Sequence, residues 1–268
     1  MPKILVKDFD LESTLLCGQL FRVSRMDGWY YIAARDRVFR VRQSANHLEF
    51  QGTDQKFLIH YFALDEPYAA ILKQINKDAH IDMAIGRYHG LRIVRQDPWE
   101  CLISFLCSSA ANIPKIKLNL EILSQFFGKR VEIAGVEWYS FPNPGAISDL
   151  ERILLAKTGF RAKYIKAAND SVSEAFLLSL KKLSYFEAKK ALKQIPGVGD
   201  KIADCILLFS LGFTEAFPID TWMKKILQKL YFKNREVSNR QLQAFGLKYF
   251  GRYAGYAQQF LYMLARDS

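Results

Sequence analysis

Residues Ile195–Asp220 read IPGVGDKIADCILLFSLGFTEAFPID, and the rest of the chain is best understood from this stretch outward. A helix runs into Pro196-Gly197-Val198-Gly199, and a second helix begins around Asp200 with Lys201 in its first turn. Glycines allow a tight interhelical turn and bring backbone N–H groups to the surface. N–H groups at a helix start can hold a phosphate, so Gly197 and Gly199 are candidate anion contacts. Asp220 follows behind Pro218 and opens a further helix. An amine beside a phosphate clamp points to chemistry on nucleic acid.

Composition agrees with an anionic partner. Among 268 residues, 38 Lys and Arg face 27 Asp and Glu, a net charge of +11. Such an imbalance favours nucleic acid, although a soluble basic protein would share it. No apolar run approaches the roughly 20 residues that a membrane span needs, and the N-terminus MPKILVKDFD lacks a signal-peptide core, so no membrane partner is expected. Cys17, Cys101, Cys107 and Cys205 are scattered, with no CxxC pair. That suits a reducing, intracellular compartment and argues against zinc or iron–sulfur ligation, so no metal is expected.

Two textures divide the chain. Residues 1–80 are β-rich with a helical tail: Trp29, Tyr31, Val38, Val41, Leu48 and Phe50 lie in short strand-like segments between turns such as Met26-Asp27-Gly28 and Ala45-Asn46. From about Asp54 the apolar period becomes helical. Residues 81–268 form a helical part, with almost only helices expected after Gly90 and a helix-hairpin-helix at 184–211. Asp97-Pro98-Trp99-Glu100 is a helix start, with Asp as cap and Pro in the first turn. The helix that follows, Cys101 to Ser108, is apolar nearly all round and should be buried. Further helices are expected over Asn119 to Phe127, from Leu150 to about Lys157, and over Ser184 to Gln194. Others follow at Lys201 to Leu211, Thr221 to Leu230, Ser238 to Tyr249 and Tyr253 to Ala265. The fold class is α+β, an antiparallel sheet domain plus two mainly helical subdomains.

Lys201 is the candidate nucleophile. An amine attacks only when deprotonated, and both a helix N-terminus and desolvation disfavour an ammonium. A neutral amine can attack a sugar C1′, displace a base and leave a Schiff base. A lysine in this place can equally contact a phosphate or stand in solvent. Asp220 could stabilise cationic character at that carbon, or simply cap the helix at Thr221. Cys205, one turn after Lys201, shares its side of the helix and could wall a flat base or sit in the core.

PGVGDKIADC with PID downstream resembles the helix-hairpin-helix superfamily of base-excision DNA glycosylases. The resemblance is to the 8-oxoguanine branch, and it extends over nearly the whole chain. Cys17-Gly18-Gln19-Leu20-Phe21-Arg22, VRQDPWECLISFLCSSAANI (Val94 to Ile113), TGFRAKYI (Thr158 to Ile165) and YAGYAQQFLY (Tyr253 to Tyr262) carry it further. The resemblance implies a bifunctional glycosylase/AP lyase acting on duplex DNA that holds a damaged base, a monomer without metal or organic cofactor. Lys201 matches the Schiff-base lysine and Asp220 the essential aspartate. Gly18 matches the glycine whose carbonyl accepts the N7–H that 8-oxoguanine has and guanine lacks, and a site built on one polar contact rejects the analogue lacking it. Cys205 and Tyr262 match the two faces of a sandwich around the extruded base, and Gln258 the reader of its pairing edge. Phe160 resembles a wedge that fills the stack, Arg161 a reader of the orphaned cytosine, and Asn112 an asparagine of the same region.

Departures from the pattern matter. Ala110-Ala111-Asn112 stands where many relatives have three asparagines, the first of which fills the gap left by the flipped base. Lys115 stands where a second cytosine-reading arginine is usual, and lysine lacks the planar fork for a bidentate contact. A relaxed preference for the opposite base follows. Trp222 replaces a histidine expected to contact a phosphate. Three rival readings are a glycosylase for another damaged base, an AP lyase, and a non-catalytic DNA-binding module. Lys201 argues against the first, lesion against abasic substrates would separate the second, and base release excludes the third.

Overall fold

The computed structural model describes residues 1–267. A five-stranded antiparallel sheet opens the chain: β1 (Lys3–Leu5), β2 (Val23–Met26), β3 (Trp29–Ala34), β4 (Arg37–Ser44) and β5 (His47–Gln51), in the order β1-β5-β4-β3-β2. Strand periodicity sorts the side chains onto two faces. Tyr30, Ile32, Phe39 and Val41 pack with Leu11 and Leu15 of α1 (Leu11–Leu16) and Leu58 and Tyr61 of α2 (Gln55–Tyr61). Trp29, Tyr31, Ala33 and Val38 point to the opposite face.

That second face is covered by a hairpin, β6 (Arg130–Ile133) and β7 (Val136–Tyr139), an exception to the expectation of almost only helices after Gly90. Its turn has positive φ at both Ala134 (50°) and Gly135 (76°), the geometry that matches strand twist. Ile133 joins the cluster, and Trp138 stacks on Tyr31 with centroids 6.0 Å apart. Strands of four residues are too short for alternation to announce them. A second correction is α1 within the β-rich region: Asp10 caps it, accepting from the Ser13 N–H at 2.6 Å.

The remaining helices share one core. They are α3 (Tyr68–Ile75), α4 (Ala79–Arg87), α5 (Pro98–Cys107), α6 (Ile113–Phe127), α7 (Leu150–Leu155), α8 (Ala162–Ser171), α9 (Glu174–Ser179), α10 (Tyr185–Leu192), α11 (Asp200–Ile206), α12 (Thr221–Tyr231), α13 (Asn239–Phe250) and α14 (Ala254–Arg266). The sixth begins at Ile113 rather than Asn119, because Asn112 caps it through the Lys115 N–H at 3.0 Å. α5 is buried from Trp99 to Cys107, as its apolar circumference requires. Asp97 caps it and also takes Arg35 at 2.9 Å, while the buried Glu100 receives Arg22 at 3.3 Å. Two ion pairs thus tie the sheet to the central helix.

Candidate active site

The hairpin between α10 and α11 is built from its own sequence. Ser184 and Glu187 form a capping box at the start of α10. The chain then turns through Ile195 N–H to Leu192 and Val198 N–H to Ile195, at 3.1 and 3.0 Å. Gly197 has φ +87°, and a Cβ there would come within 2.6 Å of the Tyr164 ring on α8. Only glycine meets both demands. Gly199 precedes α11, and no side chain among the described residues caps the N–H groups of its first turn.

A cleft of about 1530 Å³ runs beside this hairpin. Lys201 projects from the first turn of α11 and donates to Ser108 Oγ at 3.1 Å, with Nζ 5.0 Å from the centre of the Phe105 ring. Both partners stand at the end of the buried α5, a fixed platform. Asp220 caps α12, accepting from the Met223 N–H at 2.8 Å, and also lines the cleft. Past Ile206, α11 continues as a π-helical turn, Leu207–Leu211, closed by Gly212 at φ +83°. Cys205 is buried. Burial pushes its thiol up to about 12, with Lys201 opposing and Asp204 and Asp220 adding, so it is a neutral wall.

Opposite stands the loop after α1. Gln19 is wholly buried and donates to the Thr14 and Arg92 carbonyls, each at 2.8 Å, while accepting from Val94 N–H at 2.9 Å. This fixes Gly18, whose φ is +78° and whose Cα lies against Tyr262. Burial, then Asp220, raises the Tyr262 phenol to about 12, with Arg266 pulling it down. Gln258 is buried on the same helix and also lines the cleft.

Lys201, Asp220, Gly18, Cys205, Gln258, Tyr262, Asn112, Gly197, Gly199 and Trp222 all border this one cleft. Lys115, Phe160 and Arg161 do not. Phe160 is exposed on a short turn, Gly159–Arg161. Arg161 is buried, donating to Ser109 O at 2.6 Å, Ala110 O at 2.9 Å and Thr158 O at 3.1 Å. Three of its five N–H groups thereby brace the 109–110 loop and the Thr158 carbonyl.

Residues 3–102 match the family described as 8-oxoguanine DNA glycosylase, N-terminal domain. A structure of MBOgg1 in complex with a low-affinity DNA ligand matches at 37% identity and TM-score 0.94, over 99% of this chain and 95% of that one. The chain belongs to the 8-oxoguanine DNA glycosylase family. A second family member, the 8-oxoguanine glycosylase/lyase of Clostridium acetobutylicum in complex with dsDNA containing cytosine opposite 8-oxoG, is 33% identical. It covers 100% of this chain and 98% of its own, with TM-score 0.92. N-glycosylase/DNA lyase OGG1 of Arabidopsis thaliana is 36% identical over 202 residues, 70% of this chain; the chain spans about half that relative's length, 55%.

Within this glycosylase-family fold, several side chains around the cleft were not singled out by sequence. Ser108 and Phe105 seat Lys201, and only the fold brings α5 to α11. Asp204 is fully buried; Lys189 lies 2.9 Å away and the Tyr185 hydroxyl donates at 2.7 Å. Gln243 on α13 donates to the same carboxylate and, at 3.4 Å, to Phe217 O, and accepts from Lys189 at 2.9 Å. Burial pushes the Asp204 carboxyl up, and Lys189, Tyr185 and Gln243 pull it back. The cluster joins the helix of Lys201 to the segment leading to Asp220. Its one sequence signal is a carboxylate within the apolar run Ile202–Ile206.

Proposed function

We propose that this chain is a bifunctional DNA glycosylase/AP lyase that removes 8-oxoguanine from duplex DNA. The observation that carries the reading is the convergence of Lys201 and Asp220 on one cleft with the Gly18–Tyr262 wall and Cys205. DNA lies across the hairpin, with the uncapped N–H groups at the start of α11 on a backbone phosphate. The damaged nucleotide leaves the stack, because its C1′ cannot be attacked within it. Phe160 fills the vacated space.

In the slot, the base stacks between Cys205 and Tyr262, its N7–H donates to the Gly18 carbonyl, and Gln258 meets its pairing edge. The Lys201 amine attacks C1′ as the C1′–N9 bond breaks; the base departs with a proton, and the sugar ring opens to an iminium. Asp220 stabilises the positive charge that develops at C1′. Loss of a C2′ proton then expels the 3′ phosphate by β-elimination, nicking the strand. Hydrolysis of the imine returns the lysine. The enzyme acts inside the cell, as a monomer on DNA.

Preference for the opposite base is relaxed. Ala110 offers no side-chain hydrogen bond to the partner strand, Lys115 lacks a guanidinium fork, and three of the five N–H groups of Arg161 are held by carbonyls. The test uses duplexes with 8-oxoguanine opposite each of the four bases, borohydride, and wild type beside Lys201→Gln. An adduct that vanishes in the variant and forms with similar yield across the four partners is expected. Absence of any adduct with wild type would overturn the lysine mechanism; a strong preference for cytosine would overturn the relaxed reading.

A further inference from the structure

The amine of Lys201 rests on one oxygen, and that oxygen has a second contact. Lys201 Nζ lies 3.1 Å from Ser108 Oγ, its one hydrogen bond among the described residues. Ser108 Oγ in turn lies 2.7 Å from the Phe105 carbonyl, one turn earlier at the end of α5. A carbonyl oxygen only accepts, so at that separation the hydroxyl must donate to it. A serine hydroxyl has a single hydrogen. With that hydrogen on Phe105, Ser108 Oγ meets Lys201 only as an acceptor.

This polarity matters for a nucleophile. A neutral amine has two N–H groups and one lone pair, and the lone pair makes the bond to carbon. A hydroxyl free to turn would donate to that lone pair and occupy it. Ser108 takes an N–H instead, whether the lysine is an ammonium or an amine, so loss of a proton does not change its partner. The negative face of the Phe105 ring, 5.0 Å from Nζ, likewise attracts an N–H and repels a lone pair. Both N–H groups are thus drawn to the α5 side, and the lone pair is left without a protein donor. The support is fixed: Phe105 is buried, with Phe209 stacked on it at 5.6 Å and Phe21 edge-on at 5.4 Å. The Ser108 backbone N–H also donates to the Phe105 carbonyl, at 3.1 Å.

We infer that Ser108, its hydroxyl fixed by the Phe105 carbonyl, holds the Lys201 amine with its lone pair free for attack. This rests on the reading of Lys201 as the nucleophile. Ser108 is a positioning residue: it acts on the sugar only through the amine. Attack by that amine opens both base release and abasic-strand cleavage, so both reactions depend on Ser108 alike.

The experiment compares wild type, Ser108→Ala and Ser108→Thr in single-turnover reactions over a range of enzyme concentrations. The substrates are a duplex with 8-oxoguanine opposite cytosine and an abasic duplex, each followed by strand cleavage and by borohydride trapping. Alanine removes the hydroxyl, whereas threonine keeps it and can make the same bond to a carbonyl one turn back. With alanine the limiting rate should fall by about tenfold or more on both duplexes, since a misplaced reacting group is that costly. The half-saturating enzyme concentration should not move, and threonine should keep most of the wild-type rate. An unchanged limiting rate with alanine would overturn the inference with the lysine mechanism intact. Equal losses with alanine and threonine would also overturn it, making Ser108 a packing element, as would a loss that disappears at saturation. Wild type that forms no borohydride adduct would instead remove the reading of Lys201 on which the inference stands.

Discussion

Gly18 lies flush against Tyr262: a Cβ on the glycine would come within 2.9 Å of the phenol oxygen and 3.0 Å of ring Cε1. The backbone there, at φ +78°, also disfavours any side chain. Gly18→Ala should cost about 1–2 kcal/mol of stability from the left-handed conformation alone. The displaced ring would narrow the slot. Release of 8-oxoguanine should fall more than about tenfold, the worth of ~1.4 kcal/mol in the barrier, while abasic-strand cleavage keeps most of its rate. Equal loss in both assays would show that the glycine serves the fold rather than the base.

Asp220 holds two functions that substitution can separate. Its Oδ1 caps α12 through the Met223 N–H at 2.8 Å. Asparagine caps as well as aspartate, so Asp220→Asn should melt close to wild type, whereas Asp220→Ala should lose about 1 kcal/mol. Both remove the negative charge facing the sugar. Base release should drop by about 100-fold or more in each. If Asp220→Asn retained near-full activity, the residue would be a cap and nothing else.

How much of this could be read in advance depended on range in sequence. The Gly197–Lys201 turn, the capped start of α5 and the strands β3, β4 and β5 each announce themselves within a few residues. Local spacing predicts local structure well. The β6–β7 hairpin did not, since four-residue strands become strands by resting on Tyr31 and Val38. Arg161 reads as a base contact from its motif, yet two of its N–H groups are held by carbonyls about fifty residues earlier in the chain. Lys189, Asp204 and Gln243 sit on three different helices and acquire meaning only when α10, α11 and α13 meet.

That buried cluster invites a stability test. Lys189→Met leaves the Asp204 carboxylate, with no exposed surface, facing only Tyr185 and Gln243. Removing one partner of a buried ion pair costs about 3–5 kcal/mol. A Lys189→Met/Asp204→Leu double variant removes both charges and should recover much of the loss. Urea denaturation of the three proteins measures this. Loss in the single variant no greater than about 1 kcal/mol would mean that the pair contributes like a surface one.

The cysteines give a prediction in pH. All four are buried, and burial raises Cys17, Cys107 and Cys205 from an ordinary value of 9.0 to about 12. The unfolded chain therefore releases these protons near pH 9 while the folded chain keeps them. Stability from the neutral thiols is complete below that point and is lost as pH rises from 9.0 through about 12. At pH 8 a maleimide should label the native protein slowly and the urea-unfolded protein at all four sites, because the thiolate is the reacting species. Rapid native labelling of Cys205 would mean that it is not the neutral wall of the slot.

Ala110 adopts φ +48°, a left-handed conformation that alanine resists and asparagine tolerates. Its carbonyl receives Arg161 Nη2 at 2.9 Å, so the backbone must keep this geometry. Ala110→Asn should therefore raise stability by about 0.5–1 kcal/mol with no new packing contact. The amide would also stand at the lip of the cleft, where it can hydrogen-bond the partner strand across the vacated stack. Borohydride trapping across the four opposite bases should then show a sharper preference for cytosine than wild type does. A melting temperature at or below wild type would refute the strain argument. An unchanged profile across the four partners would show that discrimination rests on Lys115 and Arg161 instead.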